Sequence, residues 1–268
     1  MQDTYKDILQ NLHKDMVSRI QLEEISTLLS DVSKSKYPKS MFLAYSPKSA
    51  SSFFLNVLKE LSGYSLSDLS WGYSQNEQNL HLSQFIKFSE SPHITKLSLK
   101  ATDVNLLLLR CFALKPVVIS RSVSDSIISF CDHCNTRTAA WPQFSAPTHF
   151  LNFSREKQLD ILIDHFVPWH IDFLESWGQA SASLGYEPLV LSYDDITKNT
   201  KQAVQKVSEY YDIPMNYSDF EQVIHDSKSA KHLFNKGEAG RGKRNLTTAQ
   251  MERLQSFFKH YPHLLQWI

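Results

Sequence analysis

Short apolar runs alternate along the chain with longer segments whose apolar residues recur at helical spacing. "MFLAYS", "PVVISR" and "EPLVLSYDD" read as buried strands that end in polar residues, and "HITKLSLKA" is strand-like. Helical segments follow three of these strands directly. Strands that alternate with helices in this way predict an α/β fold, in which helices flank both faces of a central, mostly parallel sheet.

The helical segments carry recognisable end signals. "SSFFLNVLKELSG" predicts a helix that Gly63 ends, and a second helix is expected to begin near Ser122. In the long helical region "KQLDILIDHFVPWHIDFLESWGQASASLG", Pro168 predicts a kink or a break. A closing helix is expected after Thr247, which forms a capping-box pattern with Gln250.

We expect one domain over residues 1–268. Apolar residues at helical spacing between residues 3 and 32 predict an N-terminal helical extension at 1–36. A nucleotide-binding core is expected at 40–255, and a C-terminal helix at 247–268. The polar residues 64–92 predict loop and short helix, and the proline-containing residues 136–156 predict a long loop.

Composition and charge narrow the class of protein. Hydrophobic residues form 42% of the 268 residues, which is enough to build a full core. Lysine plus arginine and aspartate plus glutamate both number 28, and this balance argues against a general nucleic-acid binder. The chain shows no apolar signal segment and no uninterrupted apolar stretch that could span a bilayer, so we expect no transmembrane segment and a cytoplasmic location.

The three cysteines do not suggest a disulfide framework. Cys131 and Cys134 form a C-x-x-C pattern around His133, but one such pair supplies only two thiolate ligands. No second pair completes a tetrahedral site. The sequence therefore predicts buried helix thiols and no metal site.

Candidate chemistry begins at the turn in "MFLAYSPKSASSFF", where a strand leads into a helix. The start of a helix presents free backbone N–H groups and partial positive charge, which together attract anions. Lys48 adds a full charge, while Ser49, Ser51 and Ser52 add hydroxyl donors. The alternative is a serine-capped helix beside a solvated lysine. The glycines of a P-loop are absent, so an ordinary ATP or GTP site is not expected.

A second candidate lies at the next strand end, in "VVISRSVSDSIISF". Arg121 stands at the tip of the strand, and Ser126 and Ser129 share one face of the helix that follows. A guanidinium can grip a phosphate through two parallel hydrogen bonds, although a salt bridge to a distant acid is the alternative. The glycine-rich, basic "FNKGEAGRGKRNL" suits a lid over a polyanion or, alternatively, a basic surface loop.

Four segments, in this order, resemble the cytosolic-type sulfotransferases that use 3'-phosphoadenosine 5'-phosphosulfate (PAPS). "YSPKSASSFF" resembles the family's 5'-phosphosulfate loop, and "ISRSVSDSIISF" resembles its 3'-phosphate motif, including an aspartate that Asp125 matches. "LVLSYDDI" and "NKGEAGRGK" resemble two later motifs. The resemblance covers roughly residues 40 to 255 and implies a P-loop-NTPase-like sulfotransferase fold with PAPS as co-substrate and 3'-phosphoadenosine 5'-phosphate (PAP) as product.

The resemblance also implies site residues. Lys48 would stabilise charge on the departing phosphate, and Ser129 would hold the 3'-phosphate with Arg121 and restrain Lys48 until an acceptor arrives. Tyr193 would lie near the adenine, against which Phe53 would pack. The full implied nucleotide site comprises Pro47, Lys48, Ser49, Ala50, Ser51, Ser52, Phe53, Arg121, Ser129, Tyr193, Lys236 and Gly237.

Several positions depart from the family pattern. Ala50 replaces a glycine, so the loop must avoid a positive φ there or accept strain. Asn235 replaces an arginine, and Gly242 replaces a bulky residue. The family's general-base histidine has no equivalent in "LKATD", where we favour Asp103 as base; its alternative role is that of a helix N-cap.

The predicted function is transfer of a sulfonyl group to a hydroxyl of a small molecule, glycan or lipid, with no metal required. A homodimer is possible. One alternative is a P-loop-like nucleotide kinase, for which Asp194 and Asp195 would be the magnesium ligands; another is a non-catalytic homologue that binds PAP. Aromatic side chains in 64–92 and 136–170 could line an acceptor pocket or pack in the core.

Overall fold

The computed structural model describes residues 37–70, 78–136, 140–141, 144–147, 149–229 and 238–268. The predicted N-terminal extension at 1–36 lies outside these residues. The strands are β1 (Met41–Tyr45), β2 (Ser65–Ser67), β3 (His93–Leu97), β4 (Pro116–Ser120), β5 (Ala140–Trp141), β6 (Phe144–Ser145) and β7 (Leu189–Ser192).

The helices alternate with the strands. They are α1 (Ser51–Ser62), α2 (Leu82–Lys87), α3 (Asp103–Cys111), α4 (Val123–Thr136), α5 (Arg155–Leu184), α6 (Tyr193–Lys198), α7 (Thr200–Tyr211), α8 (Phe220–Ser229), α9 (Arg241–Asn245) and α10 (Thr248–Phe257). Short 3-10 helices cover Phe150–Asn152, Phe258–His260 and Pro262–Trp267.

Five strands form a parallel sheet in the order β2-β3-β1-β4-β7. The strand β1 is central, and the chain moves from it to β3 on one side and then to β4 on the other. A ligand of such a sheet binds outside the carboxyl ends of the strands at the point where the strand order reverses. That point lies at the end of β1, where Lys48 follows, and beside the end of β4, where Arg121 follows.

Side chains of the buried strands alternate between two cores. Phe42 and Ala44 face a core that includes α3, α4 and α5, whereas Met41, Leu43 and Tyr45 face a core that includes α1 and α7. Both faces of the sheet are therefore covered by helices. The prediction of an α/β fold with a mostly parallel sheet is confirmed.

Several elements differ from the sequence predictions. The edge strand β2 and the short strands β5 and β6 lie within residues expected to be loop or, for β2, loop and short helix. The helix α5 continues through Pro168 for 30 residues, so the alternative of a break there is wrong. The predicted helix at 247–268 ends at Phe257, and two 3-10 helices complete the segment.

The predicted signals at helix ends are confirmed at Gly63 and at Thr247. Gly63 adopts a left-handed conformation (φ 70°) and donates its N–H to the Lys59 carbonyl. Thr247 accepts a hydrogen bond from the Gln250 N–H, and the Gln250 side chain accepts one from the Thr247 N–H. Within the described part of the chain, no helix is long and apolar enough to cross a membrane.

Candidate functional site

The turn between β1 and α1 presents backbone N–H groups at the carboxyl edge of the sheet. The first helical hydrogen bond of α1 runs from the Phe54 N–H to the Ala50 carbonyl at 3.1 Å. The N–H groups of Ser51 and Ser52 precede that bond, at the start of the helix, where backbone donors have no partner within the helix itself. The N-cap residue is Ala50, which has no side chain able to cap, so the alternative of a serine-capped helix is wrong.

The turn holds two non-glycine residues in the left-handed conformation. Lys48 has φ 66° and Ala50 has φ 64°, with Ser49 between them. A β-carbon is strained in this region, and strain of this kind persists where the surroundings hold the backbone in place. Of the two possibilities stated for Ala50 in the sequence analysis, avoiding a positive φ or accepting strain, the structure shows the second.

Replacing Ala50 with glycine should stabilise the protein. Glycine has no β-carbon to clash at φ 64°, so the substitution removes about 1–2 kcal/mol of strain from the folded state. The greater conformational freedom of glycine also stabilises the unfolded chain, which cancels about 0.5–1 kcal/mol of this effect. We expect the free energy of unfolding in urea to rise by about 0.5–1 kcal/mol.

The control is Ala182→Gly, the same change at an exposed position near the end of helix α5. There the helical conformation suits alanine, and the change should destabilise the protein by up to about 1 kcal/mol. If the two variants lose stability equally, residue 50 is not strained as described.

Lys96 adds a second ammonium group beside the turn, which the sequence analysis missed. It lies on β3, opposite Leu43 of β1, and its Nζ donates to the Ser52 Oγ at 2.6 Å. The Nζ also lies 4.5 Å from the centre of the Tyr45 ring. Burial, together with repulsion from Lys48, lowers the pKa of Lys96 to about 8. The start of α1 is thus flanked by two lysines.

Replacing Lys96 with methionine should stabilise the fold at neutral pH. The pKa of Lys96 falls from 10.5 in the unfolded chain to about 8 in the fold. Below pH 8 both states hold the proton, and the folded state bears the full cost of a buried charge. Between pH 8 and 10.5 the unfolded chain binds more protons, so this cost shrinks as the pH rises.

The measurement is the free energy of unfolding of both proteins in urea at pH 7 and pH 9.5. The stability advantage of the methionine variant should be largest at pH 7 and should decrease at pH 9.5. An advantage that is the same at both values would mean that the pKa of Lys96 is equal in the folded and unfolded states.

Arg121 lies at the end of β4 and joins the two neighbouring segments. Its side chain is 6% exposed, and its Nη1 donates to the Lys48 carbonyl at 3.3 Å. Its Nη2 donates to the Glu238 carbonyl at 2.5 Å and contacts the Asp125 carboxylate at 3.3 Å. The guanidinium stacks 3.9 Å above the centre of the Tyr193 ring. The Arg121 side chain therefore lies against the backbone of the turn that carries Lys48, so these two strand ends meet in the fold.

A cavity of about 330 Å³ opens beside Arg121 and Tyr193. Its wall also includes Asp125 and Lys243, together with Trp267 from the last 3-10 helix. Burial raises the pKa of Tyr193 above its ordinary value, so the ring stays a neutral phenol at physiological pH. The cavity combines a cationic corner with aromatic surface, which suits an anionic ligand that carries a ring.

Three buried donors at the site have no hydrogen-bond partner among the described residues. They are the Ser49 Oγ in the turn, the Arg121 Nε at the end of β4, and the Ser126 Oγ on α4. A buried polar group without a partner is costly, and in native proteins it calls for a ligand, an ion or a water. All three belong to the segments that the sequence assigned to anion binding.

The remaining predicted site residues divide into several groups. Pro47 and Ser51 are buried in the turn, and Ser129 is buried on α4, one turn after Asp125. Phe53 is fully buried in the core beneath α1, so the structure does not offer the exposed ring face that stacking on a base requires. Lys236 and Gly237 lie outside the described residues.

Asp103 is exposed in the first turn of α3. The N-cap of that helix is Thr102, whose Oγ1 accepts a hydrogen bond from the Asn105 N–H at 3.4 Å. The N-cap role that was the alternative for Asp103 therefore belongs to its neighbour Thr102. The role of general base at Asp103 stays a prediction.

Two of the histidines, His93 and His170, pack within the scaffold. His93 opens β3 at the amino edge of the sheet, opposite to Lys48, and contacts Ser40 at 3.2 Å and Tyr37 at 3.1 Å. His170 is fully buried in α5, where its Nδ1 donates to the Phe166 carbonyl, and burial lowers its pKa to about 4. Both are packed away from the carboxyl edge of the sheet or inside the core.

Most described aromatic candidates for an acceptor pocket pack in the core. The candidate Phe166 stacks on Phe130 of α4 with their ring centres 4.3 Å apart, and the same cluster contains the candidates Phe85, Phe144 and Phe150. Trp71 and Tyr73 lie outside the described residues. For these phenylalanines, the alternative of core packing is therefore the one that the structure supports.

Cys131 and Cys134 are buried on α4, as expected of helix thiols. The Cys131 Sγ donates to the Gln158 Oε1 at 3.4 Å, and burial raises the pKa of Cys134 to about 12. Among the described residues, no group of three or more histidine, cysteine or acidic side chains could hold a metal ion.

Comparisons with known proteins agree with this geometry. A sequence profile of the sulfotransferase domain matches residues 83–267. Among solved structures, the fold is similar to that of mouse sulfotransferase SULT7A1 complexed with PAP, with a TM-score of 0.61 and 15% sequence identity over 88% of this chain and 89% of that chain. No curated protein gave a significant match to the sequence.

The fold and the cavity define an α/β protein with a cleft beside Arg121 at the carboxyl edge of its sheet. The chain belongs to the sulfotransferase domain family, because the profile match spans more than half of its 268 residues. The matched residues include Arg121 and Ser129 but begin after the turn at Lys48. The role of that turn therefore rests on its geometry.

Proposed function

We propose that the protein transfers a sulfonyl group from PAPS to a hydroxyl group of an acceptor. The observation that carries this proposal is the contact between Arg121 and the Lys48 carbonyl across the ends of β4 and β1. It joins the two strand ends that carry Lys48 and Arg121. A nucleotide that is phosphorylated at both its 3' and 5' positions needs a cationic group at each end.

The residues present fit this nucleotide. The Ser49 Oγ and the N–H groups at the start of α1 suit a 5'-phosphate, next to Lys48 of the turn and to Lys96, whose Nζ donates to the Ser52 Oγ. The unpartnered Arg121 Nε suits a 3'-phosphate, and the Tyr193 ring lines the same cavity. The adenine would lie in the cavity that Trp267 also lines.

The bound nucleotide would supply an activated sulfonyl group: its S–O bond to the 5'-phosphate would break as a new S–O bond to the acceptor oxygen forms, and the acceptor hydroxyl would release its proton to water. Lys48 and the N–H groups of the turn stabilise the negative charge that grows on the phosphate oxygen. Lys96 orients Ser52 and adds positive field at the same helix start. In this scheme, positioning and fixed positive charge supply most of the acceleration.

The kinase alternative receives less support from the geometry. Its magnesium would need free carboxylates at the end of β7. Asp195 instead caps α6, since its carboxylate accepts from the Ser192 N–H at 2.9 Å and from the Ser192 hydroxyl at 2.6 Å. Asp194 pairs with Lys198 at 2.8 Å on the surface. Both side chains have structural partners.

Two measurements test the proposal. Calorimetry should detect PAP binding to the purified protein with a stoichiometry of one per chain. A screen of phenols, sterols, sugars and lipid alcohols with labelled PAPS should then yield a labelled product without added magnesium. Binding with no transfer to any acceptor would favour the non-catalytic alternative, and absence of PAP binding would overturn the proposal.

A further inference from the structure

The carboxylate of Asp125 connects three parts of the cleft. It is 3% exposed and lies on α4, one helical turn after Arg121. Its Oδ2 accepts from the Gly240 N–H at 2.8 Å, and its Oδ1 accepts from the Gly242 N–H at 2.7 Å. Its contact with the Arg121 Nη2 is longer, at 3.3 Å. The short bonds run to the backbone and the long one to the guanidinium.

These distances indicate how the buried charges are balanced. Two short charge-assisted hydrogen bonds from backbone N–H groups engage both oxygens of the carboxylate. Arg121 is held in position by Asp125 without being fully neutralised, and its Nε keeps no partner among the described residues. A guanidinium in this state is oriented and still able to bind a second anion.

The segment that Asp125 holds, residues 238–246, is fitted closely against α4. A β-carbon added to Gly242 would lie 2.3 Å from the Ser124 Oγ and 2.6 Å from the Ser124 carbonyl carbon. Any side chain at position 242 would therefore push the segment away from the helix. Lys243, the next residue, lines the same cavity as Arg121, so its position depends on this fit.

We propose that Asp125 is a positioning residue for the 3'-phosphate: it fixes the 238–246 segment and the Arg121 guanidinium relative to each other. This inference rests on the proposed function, because it assumes that PAP binds in the cleft. Its consequence is selectivity. Asp125 should matter for a nucleotide that carries a 3'-phosphate and should not matter for adenosine 5'-monophosphate (AMP), which lacks one.

The test compares PAP and AMP binding by calorimetry in wild-type protein, Asp125→Asn and Gly242→Ala. The amide of Asp125→Asn can accept only one of the two backbone N–H bonds, and Gly242→Ala displaces the same segment without changing any charge. Each change should weaken PAP binding about ten-fold or more while AMP binding stays within about two-fold of wild type. The losses in the double variant should be less than multiplicative, because both changes act on one fit.

The matched control is Asp194→Asn. Asp194 lines the same cavity, but its partner is Lys198 on the surface, and 51% of its side chain is exposed. This control removes one negative charge without removing a backbone bond. It should tighten PAP binding by less than about three-fold, as expected of an exposed charge.

The possible outcomes separate the explanations. If Asp125→Asn tightens PAP binding as Asp194→Asn does, Asp125 acts only through its charge and the inference is wrong. Equal losses of PAP and AMP binding would indicate general destabilisation and would also overturn it. If Asp125→Asn fails to fold, Gly242→Ala decides by the same comparison. Wild-type protein that binds no PAP would overturn the proposed function, and this inference with it.

Discussion

Replacing Lys48 with alanine should lower the rate of sulfonyl transfer about 10²-fold or more, comparable to removing one donor of an oxyanion hole. The expected cause is the loss of the ammonium that stabilises charge on the leaving phosphate oxygen. Arg121 and the N–H groups of α1 remain in place, so PAP affinity should change much less than the rate. Turnover with saturating PAPS and calorimetry with PAP measure the two quantities.

The backbone makes alanine the right substitution at this position. Lys48 has φ 66°, and alanine keeps the β-carbon, so the strain of the turn is unchanged. Glycine would also relieve the backbone strain of the turn, so the effect of losing the ammonium group could not be separated from the effect of a relaxed backbone. Lys59→Ala is the control, because Lys59 lies on the same helix α1 and is exposed beside Glu60. Wild-type turnover in Lys48→Ala would remove this lysine from the proposed mechanism.

The sheet could be predicted from sequence because buried parallel strands leave a strong signal. "MFLAY" and "PVVIS" are apolar throughout, since both of their faces are covered, and each is followed by a polar turn. The strand β2 gives no such signal, because it has three residues, two of them serine, at the edge of the sheet. Pro168 misleads because the rest of α5 holds the helix together through packing on both sides of it.

The two ends of the cleft could be predicted because each lies at a strand end next to its own helix. What the sequence hides is contact across long separations. Lys96 lies inside a strand-like run, and its partner Ser52 is 44 residues away. Asp125 and Gly240 are 115 residues apart. A signal did exist for Lys96, since a charged residue inside a buried strand calls for a partner or a function.

Conformation also limits what residue types reveal. An alanine at position 50 does not predict a left-handed backbone conformation, because alanine disfavours that conformation. Phe53 lies directly after the serines of the turn, but the helical rotation of α1 directs its ring into the core. Neighbours in sequence at a helix start face different directions, so a motif match cannot by itself say which side chains reach a ligand.

Replacing Arg121 with alanine should weaken PAP binding about 10²-fold or more, since each hydrogen bond to a charged group contributes about 1.5–3 kcal/mol and a guanidinium can make two. AMP carries no 3'-phosphate, so its affinity should fall far less. The ratio of the two dissociation constants, measured by calorimetry, should therefore approach one in the variant.

Two comparisons make this result specific to the 3'-phosphate. Arg253→Ala removes the same charge from the surface pair with Asp164, where the side chain is 50% exposed, and should leave PAP affinity within about two-fold of wild type. Arg121→Lys keeps the charge but not the planar fork, so partial rescue would separate charge from geometry. Because Asp125 retains its bonds to the Gly240 and Gly242 N–H groups, the alanine variant should still fold. Equal loss of AMP and PAP binding in Arg121→Ala would place Arg121 in the scaffold instead of at the 3'-phosphate.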